Sequence, residues 1–163
     1  MQYEQLVAQL NTDDKRTRVA LIEQLRALLP DSADAALAGL RDPRPLVRAA
    51  CAAVLDHADH DDRIERALRE ATRDPDARVR KSALHSLSCA HCKPDGCVVD
   101  DSVDYLVDAL LNDSSIRVRR NMAGIMMFGQ AGRGPKVTSA FQQLVDHEDR
   151  VLRERASIYL ASV

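Results

Sequence analysis

One phrase recurs along the chain and limits what it can fold into. Its clearest copy is DPDARVRKSAL, from Asp74 to Leu84. Asp42 opens a second copy, DPRPLVRAACAAVL, and Asp113 a third, DSSIRVRRNMAGI. Aligned on their Val-Arg pairs, Val47-Arg48, Val79-Arg80 and Val118-Arg119 coincide, each with Asp five residues before the Val. A looser copy, HEDRVLRERASIYL, puts Leu152-Arg153 in register, and TDDKRTRVALIEQL puts Thr17-Arg18 there. The steps between these positions are 30, 32, 39 and 34 residues. Self-similarity at that period predicts a stacked array of helical units, each packing on its neighbour.

The residues between the repeats fit that expectation. Apolar residues make up 45% of the chain but aromatics only 3%, with no Trp, so Ala, Leu and Val must fill the core. That favours closely packed helices over a β-sandwich. Tyr3, Leu6, Val7 and Leu10 recur at helical spacing among glutamines, as in a short helix with one wet face suited to capping a stack. Helices are expected over about 15–29, from Asp31 or Ser32 to about 40, and over 42–57, 61–72, 76–90, 103–111, 115–130, 135–145 and 150–161. Asp42-Pro43 and Asp74-Pro75 read as N-caps followed by a proline in the first helical position.

The array resembles HEAT repeats, in particular the short type named for phycobilin lyases. Asp42, Pro43, Val47, Arg48, Asp74, Pro75, Val79, Arg80, Asp113, Val118 and Arg119 carry the resemblance. It implies an all-α fold, a right-handed α-α superhelix of about five helix pairs forming one domain over 1–163. The repeats then fall near 1–29, 30–57, 60–90, 101–130 and 134–163. In such stacks the second helix of each pair usually lines the concave face.

An arginine in the first turn of a helix carries the wrong charge for the positive end of the helix dipole. The repetition of Arg48, Arg80 and Arg119 therefore needs another cause. One reading is a structural ladder, each Arg bonding the cap Asp or turn carbonyls of an adjacent repeat. The other is an anion-binding strip on the concave side, built from Arg44, Arg78, Lys81, Arg117 and Arg120 together with Arg150 and Arg155. A net charge of about -2 weighs against the strip as a nucleic-acid surface, because phosphate binding needs surplus positive charge.

The 39-residue step holds an insertion, about 89–100, within HSLSCAHCKPDGCVVDD. Cys89, Cys92 and Cys97, with His85 or His91, form a Cys₃His set. Cys89-x-x-Cys92 has knuckle spacing, and Pro94-Asp95-Gly96 turns Cys97 back toward it. Mixed thiolate and imidazole ligands suit zinc, and four protein ligands would make it structural rather than catalytic. Reduced thiols, a local disulfide, a redox pair and an iron–sulfur site are the competing readings. Cys51 reads as core. His57 and His60 read as part of a solvated turn. Met122, Met126, Met127 and Phe128 read as core, or else as an adaptable contact surface.

For function, the leading expectation is a non-catalytic scaffold that presents its concave face to a protein partner. An enzyme accessory of the phycobilin-lyase type and a nucleic-acid binder are the alternatives. No stretch approaches the roughly 20 apolar residues of a membrane span, and the first residues lack a secretory pattern, so a cytoplasmic location is expected.

Overall fold

The computed structural model describes residues 2–59, 61–88, 102–128 and 134–163. Among these residues the chain forms helices and no strand. In order they are α1 (Gln2–Gln9), α2 (Lys15–Ala27), α3 (Ala33–Gly39), α4 (Pro45–Leu55), α5 (Asp62–Ala71), α6 (Ala77–Ser88), α7 (Ser102–Asn112), α8 (Ile116–Phe128), α9 (Pro135–Gln142) and α10 (Arg150–Leu160). Consecutive helices pack in pairs, α1 on α2 through to α9 on α10, and the second helices pack on one another in chain order. The architecture is an α-solenoid.

Several helices start behind acidic caps. Asp14 accepts the N–H groups of Arg16 and Thr17, Asp61 those of Arg63 and Ile64, and Asp149 that of Leu152. Asp42 and Asp74 depart from the expected role. α4 opens at Pro45 with Arg44 as its N-cap, and α6 opens at Ala77. Asp42 Oδ1 instead accepts the Arg44 N–H at 2.8 Å, Asp74 Oδ1 that of Asp76 at 2.8 Å, and Asp113 Oδ1 that of Ser115 at 2.7 Å. A side chain that bonds two residues ahead closes an Asx turn and keeps its own residue outside the helix. The carboxylate keeps lone pairs to spare, and at Asp74 and Asp113 these meet the neighbouring repeat. Ser32 does precede α3, but its hydroxyl donates to Leu25 O at 2.6 Å rather than capping.

Small residues let the second helices approach closely. Ala50, Cys51 and Ala52 of α4 and Ala83 of α6 are buried where these two helices meet their neighbours. Polar side chains then reach main-chain carbonyls across the gaps. Ser86 Oγ donates to Ala52 O at 2.8 Å, and Arg26 donates from Nε and Nη2 to Ala53 O at 3.2 and 2.8 Å. Arg155 Nη1 donates to Arg120 O, and Gly124 makes the room: a Cβ there would lie 3.1 Å from that same nitrogen.

The first helices are less evenly packed. A cleft of about 430 Å³ lies between α3 and α5, and another of about 310 Å³ between the end of α5, α6 and α7. The second helices pack more closely on one another than the first helices do, and a third cleft, of about 450 Å³, lies between the turns that lead into α8 and α10. Met122 and Met126 are buried and Met127 is partly buried, as the core reading required; the Phe128 side chain lies outside the described set.

Candidate functional site

The repeated arginines form cross-repeat rungs. Arg48 of α4 forks onto Asp74, Nε to Oδ2 at 2.7 Å and Nη2 to Oδ1 at 2.9 Å, while its Nη1 donates to Asp42 O and Pro43 O at 2.9 and 3.0 Å. Arg80 repeats the pattern one unit on. Its Nε and Nη2 take Asp113 at 2.8 and 2.7 Å, and its Nη1 takes Asp74 O and Pro75 O at 2.9 and 3.1 Å. Only 13% of the Arg80 side chain and 6% of the Asp113 side chain are exposed. Both guanidinium groups are held above their ordinary range, first by the bond to their aspartate.

The third rung is displaced. Arg119 was expected to carry it, but its Nε donates to Leu110 O within the same helix pair. Arg120 crosses instead, with Nε to Asp149 Oδ1 at 3.1 Å and Nη2 to Oδ2 at 2.6 Å. The reason lies in the register. His147 stands five residues before Leu152, where the three clear copies have Asp42, Asp74 and Asp113, and the aspartate comes two residues later, at Asp149. An arginine one residue further along α8 reaches it. The first step has no such rung: Asp42 is forked by Arg44, Nε to Oδ1 at 2.8 Å and Nη2 to Oδ2 at 2.7 Å.

These pairs bear on the cationic strip. Of its seven residues, Arg44 is taken by Asp42, Arg78 by Asp76 through two bonds of 2.9 and 2.7 Å, Arg120 by Asp149 and Arg150 by Glu154 at 3.4 Å, while Arg155 donates to Arg120 O. Lys81 and Arg117 are exposed and have no ion pair among the described residues. Arg78 and Lys81 stand one turn apart on α6, and Arg117 and Arg120 one turn apart on α8, so each free cation has a neutralised one beside it on the same helix face.

The pairing fixes a pH response. The Arg78 fork holds the Asp76 carboxyl at about 2, and the Arg120 fork does the same for Asp149. Burial pushes Asp113 up, but the Arg80 fork and the Ser115 N–H outweigh it, and the carboxyl lies below its ordinary value. All three titrate lower in the folded chain than the roughly 3.9 of an unfolded aspartate. Their stabilisation is therefore complete above that value and is lost as pH falls through it toward 2. Urea midpoints measured from pH 6 to pH 2 should hold steady down to about pH 4 and then drop; a midpoint unchanged from pH 4.5 to 2.5 contradicts the rungs' contribution.

Cys89, His91, Cys92 and Cys97 lie outside the described residues. His85 is described: its Nε2 stands 3.5 Å from Asp56 Oδ2. Among the described residues no three His, Cys, Asp or Glu side chains are placed to hold a metal ion. Cys51 is buried, as expected, and burial pushes its thiol up to about 12, so it is inert.

Asp56 escaped the sequence reading. It sits at the C-terminal end of α4 with 1% of its side chain exposed. His85 Nε2, His57 Nε2 at 3.8 Å and Arg26 Nη2 at 4.0 Å surround its Oδ2, drawing α2, α4 and α6 together. The signal was present: Asp56 lies four residues after buried Ala52, so it continues a core register.

Comparison with known proteins agrees with this geometry. No curated protein matches the chain. Among solved structures, an engineered protein superposes with a TM-score of 0.59 at 17% identity, covering 99% of this chain and 78% of that one. A designed armadillo repeat protein in complex with a (KR)4 peptide superposes at 0.54 and 15% identity, covering 98% and 80%. A computationally designed armadillo repeat protein for modular peptide recognition gives 0.52 at 16%, covering 99% and 82%. These likenesses establish the fold. The family model for HEAT repeats matches residues 33–121, more than half of the chain and the stretch that holds the two clearest rungs. The chain belongs to the HEAT-repeat family.

Proposed function

We propose that this chain is a protein-binding module whose partner lies along the concave row of second helices. One observation carries the reading. The repeated charges are consumed in pairs, some crossing between repeats and some closing within one turn, so the concave side offers shape and a few free groups rather than a uniform electrostatic field. A duplex needs a surplus of unmatched cations, and Lys81 and Arg117 are too few for that. They suit a short acidic segment of a protein. That a designed solenoid of the same fold is known with a peptide bound supports the scale of such a groove.

Peptide-display selection is the test. Peptides selected against the wild-type chain should be enriched in Asp and Glu. They should bind the Lys81→Glu, Arg117→Glu double variant at least about tenfold more weakly, equivalent to ~1.4 kcal/mol. Both side chains are exposed and have no ion pair among the described residues, so melting should not change. Selected peptides that bind both proteins equally, or duplex DNA bound in preference to any peptide, would overturn the reading. Structural zinc at Cys89, Cys92 and Cys97, with His85 or His91, stands as a separate proposal on their spacing alone. Metal content of protein purified without chelator decides it, and substoichiometric zinc rejects it.

A further inference from the structure

His147 stands at the register of Asp42, Asp74 and Asp113 and does half of their work. Its Nδ1 accepts the Asp149 N–H at 2.9 Å, just as each of those aspartates accepts an N–H two residues ahead. Its carbonyl and that of Glu148 accept from Arg153 Nη1 at 2.6 and 3.1 Å, as Asp74 O and Pro75 O accept from Arg80. The turn is therefore built like the earlier ones. What it lacks is the second function of Asp74 and Asp113, which also accept the fork of the preceding arginine. A neutral imidazole whose Nδ1 accepts carries its hydrogen on Nε2. That nitrogen donates, so His147 has no lone pair left for Arg119.

Arg119 turns its Nε to Leu110 O at 2.9 Å. Its Nη1 and Nη2 make no hydrogen bond or ion pair among the described residues. Arg119 and His147 both line the cleft of about 450 Å³ between the turns that lead into α8 and α10. Two acids of that lining are already taken, Asp113 by Arg80 and Asp149 by Arg120. The third, Glu148, is exposed. The filled rungs bring an arginine and a carboxylate together, whereas this cleft brings donors from both of its turns. An anion complements such a set. The filled rungs give its class, a planar carboxylate that a guanidinium takes through two bonds.

We propose that an Asp or Glu side chain of a bound peptide enters this cleft and completes the rung, its carboxylate taken by Arg119 and His147. The proposal rests on the peptide-binding reading and adds to it an anchor distinct from Lys81 and Arg117. A peptide held there bridges the α7–α8 and α9–α10 pairs, as the Asp74 and Asp113 carboxylates bridge theirs.

Nuclear magnetic resonance titration of the full chain with a capped hexaglutamate peptide tests it. The Arg119 Nε–H signal, assigned by its disappearance in Arg119→Lys, should shift, and a capped hexaglutamine peptide should leave it in place. His147→Asp supplies the missing carboxylate from within the chain. It should raise the urea midpoint and weaken hexaglutamate binding at least about tenfold, the loss expected when a charge-assisted fork is no longer free. His147→Asn keeps an acceptor for the Asp149 N–H without adding charge, so it should retain binding. Glu148→Gln removes the like charge from the lining and should strengthen it. An Arg119 signal that ignores hexaglutamate, or that shifts with inorganic phosphate alone, overturns the proposal, as does binding unchanged by His147→Asp. Hexaglutamate binding that Lys81→Glu, Arg117→Glu abolishes while the Arg119 signal never moves overturns this anchor and leaves the concave reading standing.

Discussion

Replacing Arg80 with alanine is expected to lower stability by about 2–4 kcal/mol. Hydrogen bonds to charged groups contribute roughly 1.5–3 kcal/mol, and breaking a buried pair from one side costs roughly 3–5. The Arg80–Asp113 pair is mostly but not wholly buried, which places it between those ranges. Alanine there leaves the Asp113 carboxylate without its fork and Asp74 O and Pro75 O without their donor. Arg78→Ala is the internal control. That arginine is 55% exposed and forks an aspartate of its own turn, so its removal should cost less than about 1 kcal/mol. Urea denaturation of the two variants reads the difference directly. Equal losses would mean that crossing between repeats adds nothing to a local ion pair.

The second large effect concerns Gly39, buried in α3 where it faces α4. A Cβ there would stand 2.4 Å from Cys51 Sγ and 3.0 Å from Val7 Cγ1. Alanine gains roughly 0.5–1 kcal/mol over glycine inside a helix, while overpacking a filled core costs roughly 1–3. Cys51 is fully buried and Val7 closes the other side, so the sulfur has little room to retreat. Gly39→Ala is therefore expected to destabilise by about 1–2 kcal/mol. In a Cys51→Ala background the sulfur is gone, and the same substitution should become neutral or stabilising. A Gly39→Ala change that costs the same in both backgrounds contradicts the assigned contact.

The fold was legible in the sequence because the repeat is local. Each Val-Arg register marks a second helix, and all the second helices lie where the alignment put them. Helix starts were less legible. A proline after an aspartate suits an N-cap and a first helical residue, yet at Asp42 and Asp74 it belongs to an Asx turn that delays the helix. Sequence alone does not distinguish the two, because the same Asp oxygen accepts an N–H two or three residues ahead in either arrangement. The ladder was legible as a pattern of charge. Its third rung was not, since the choice of Arg120 over Arg119 follows from where Asp149 falls in three dimensions. Arg44, Arg78 and Arg120 looked free for the same reason: a run of cations does not show which carboxylates fold back onto it. Asp56 was missed because a single acid at the end of an apolar helix looks like a solvated terminus until α6 brings His85 beside it.

Double-mutant cycles on the two best-formed rungs test the central claim that the repeated charges hold repeat to repeat. Arg48→Ala with Asp74→Ala, and Arg80→Ala with Asp113→Ala, should each show a coupling energy of about 1–3 kcal/mol in urea denaturation, the range found for residues within one network. Heparin affinity should stay weak throughout. Coupling indistinguishable from zero in both cycles, together with tight heparin binding that Arg48→Ala and Arg80→Ala abolish, would show that these arginines serve a polyanion and not the stack.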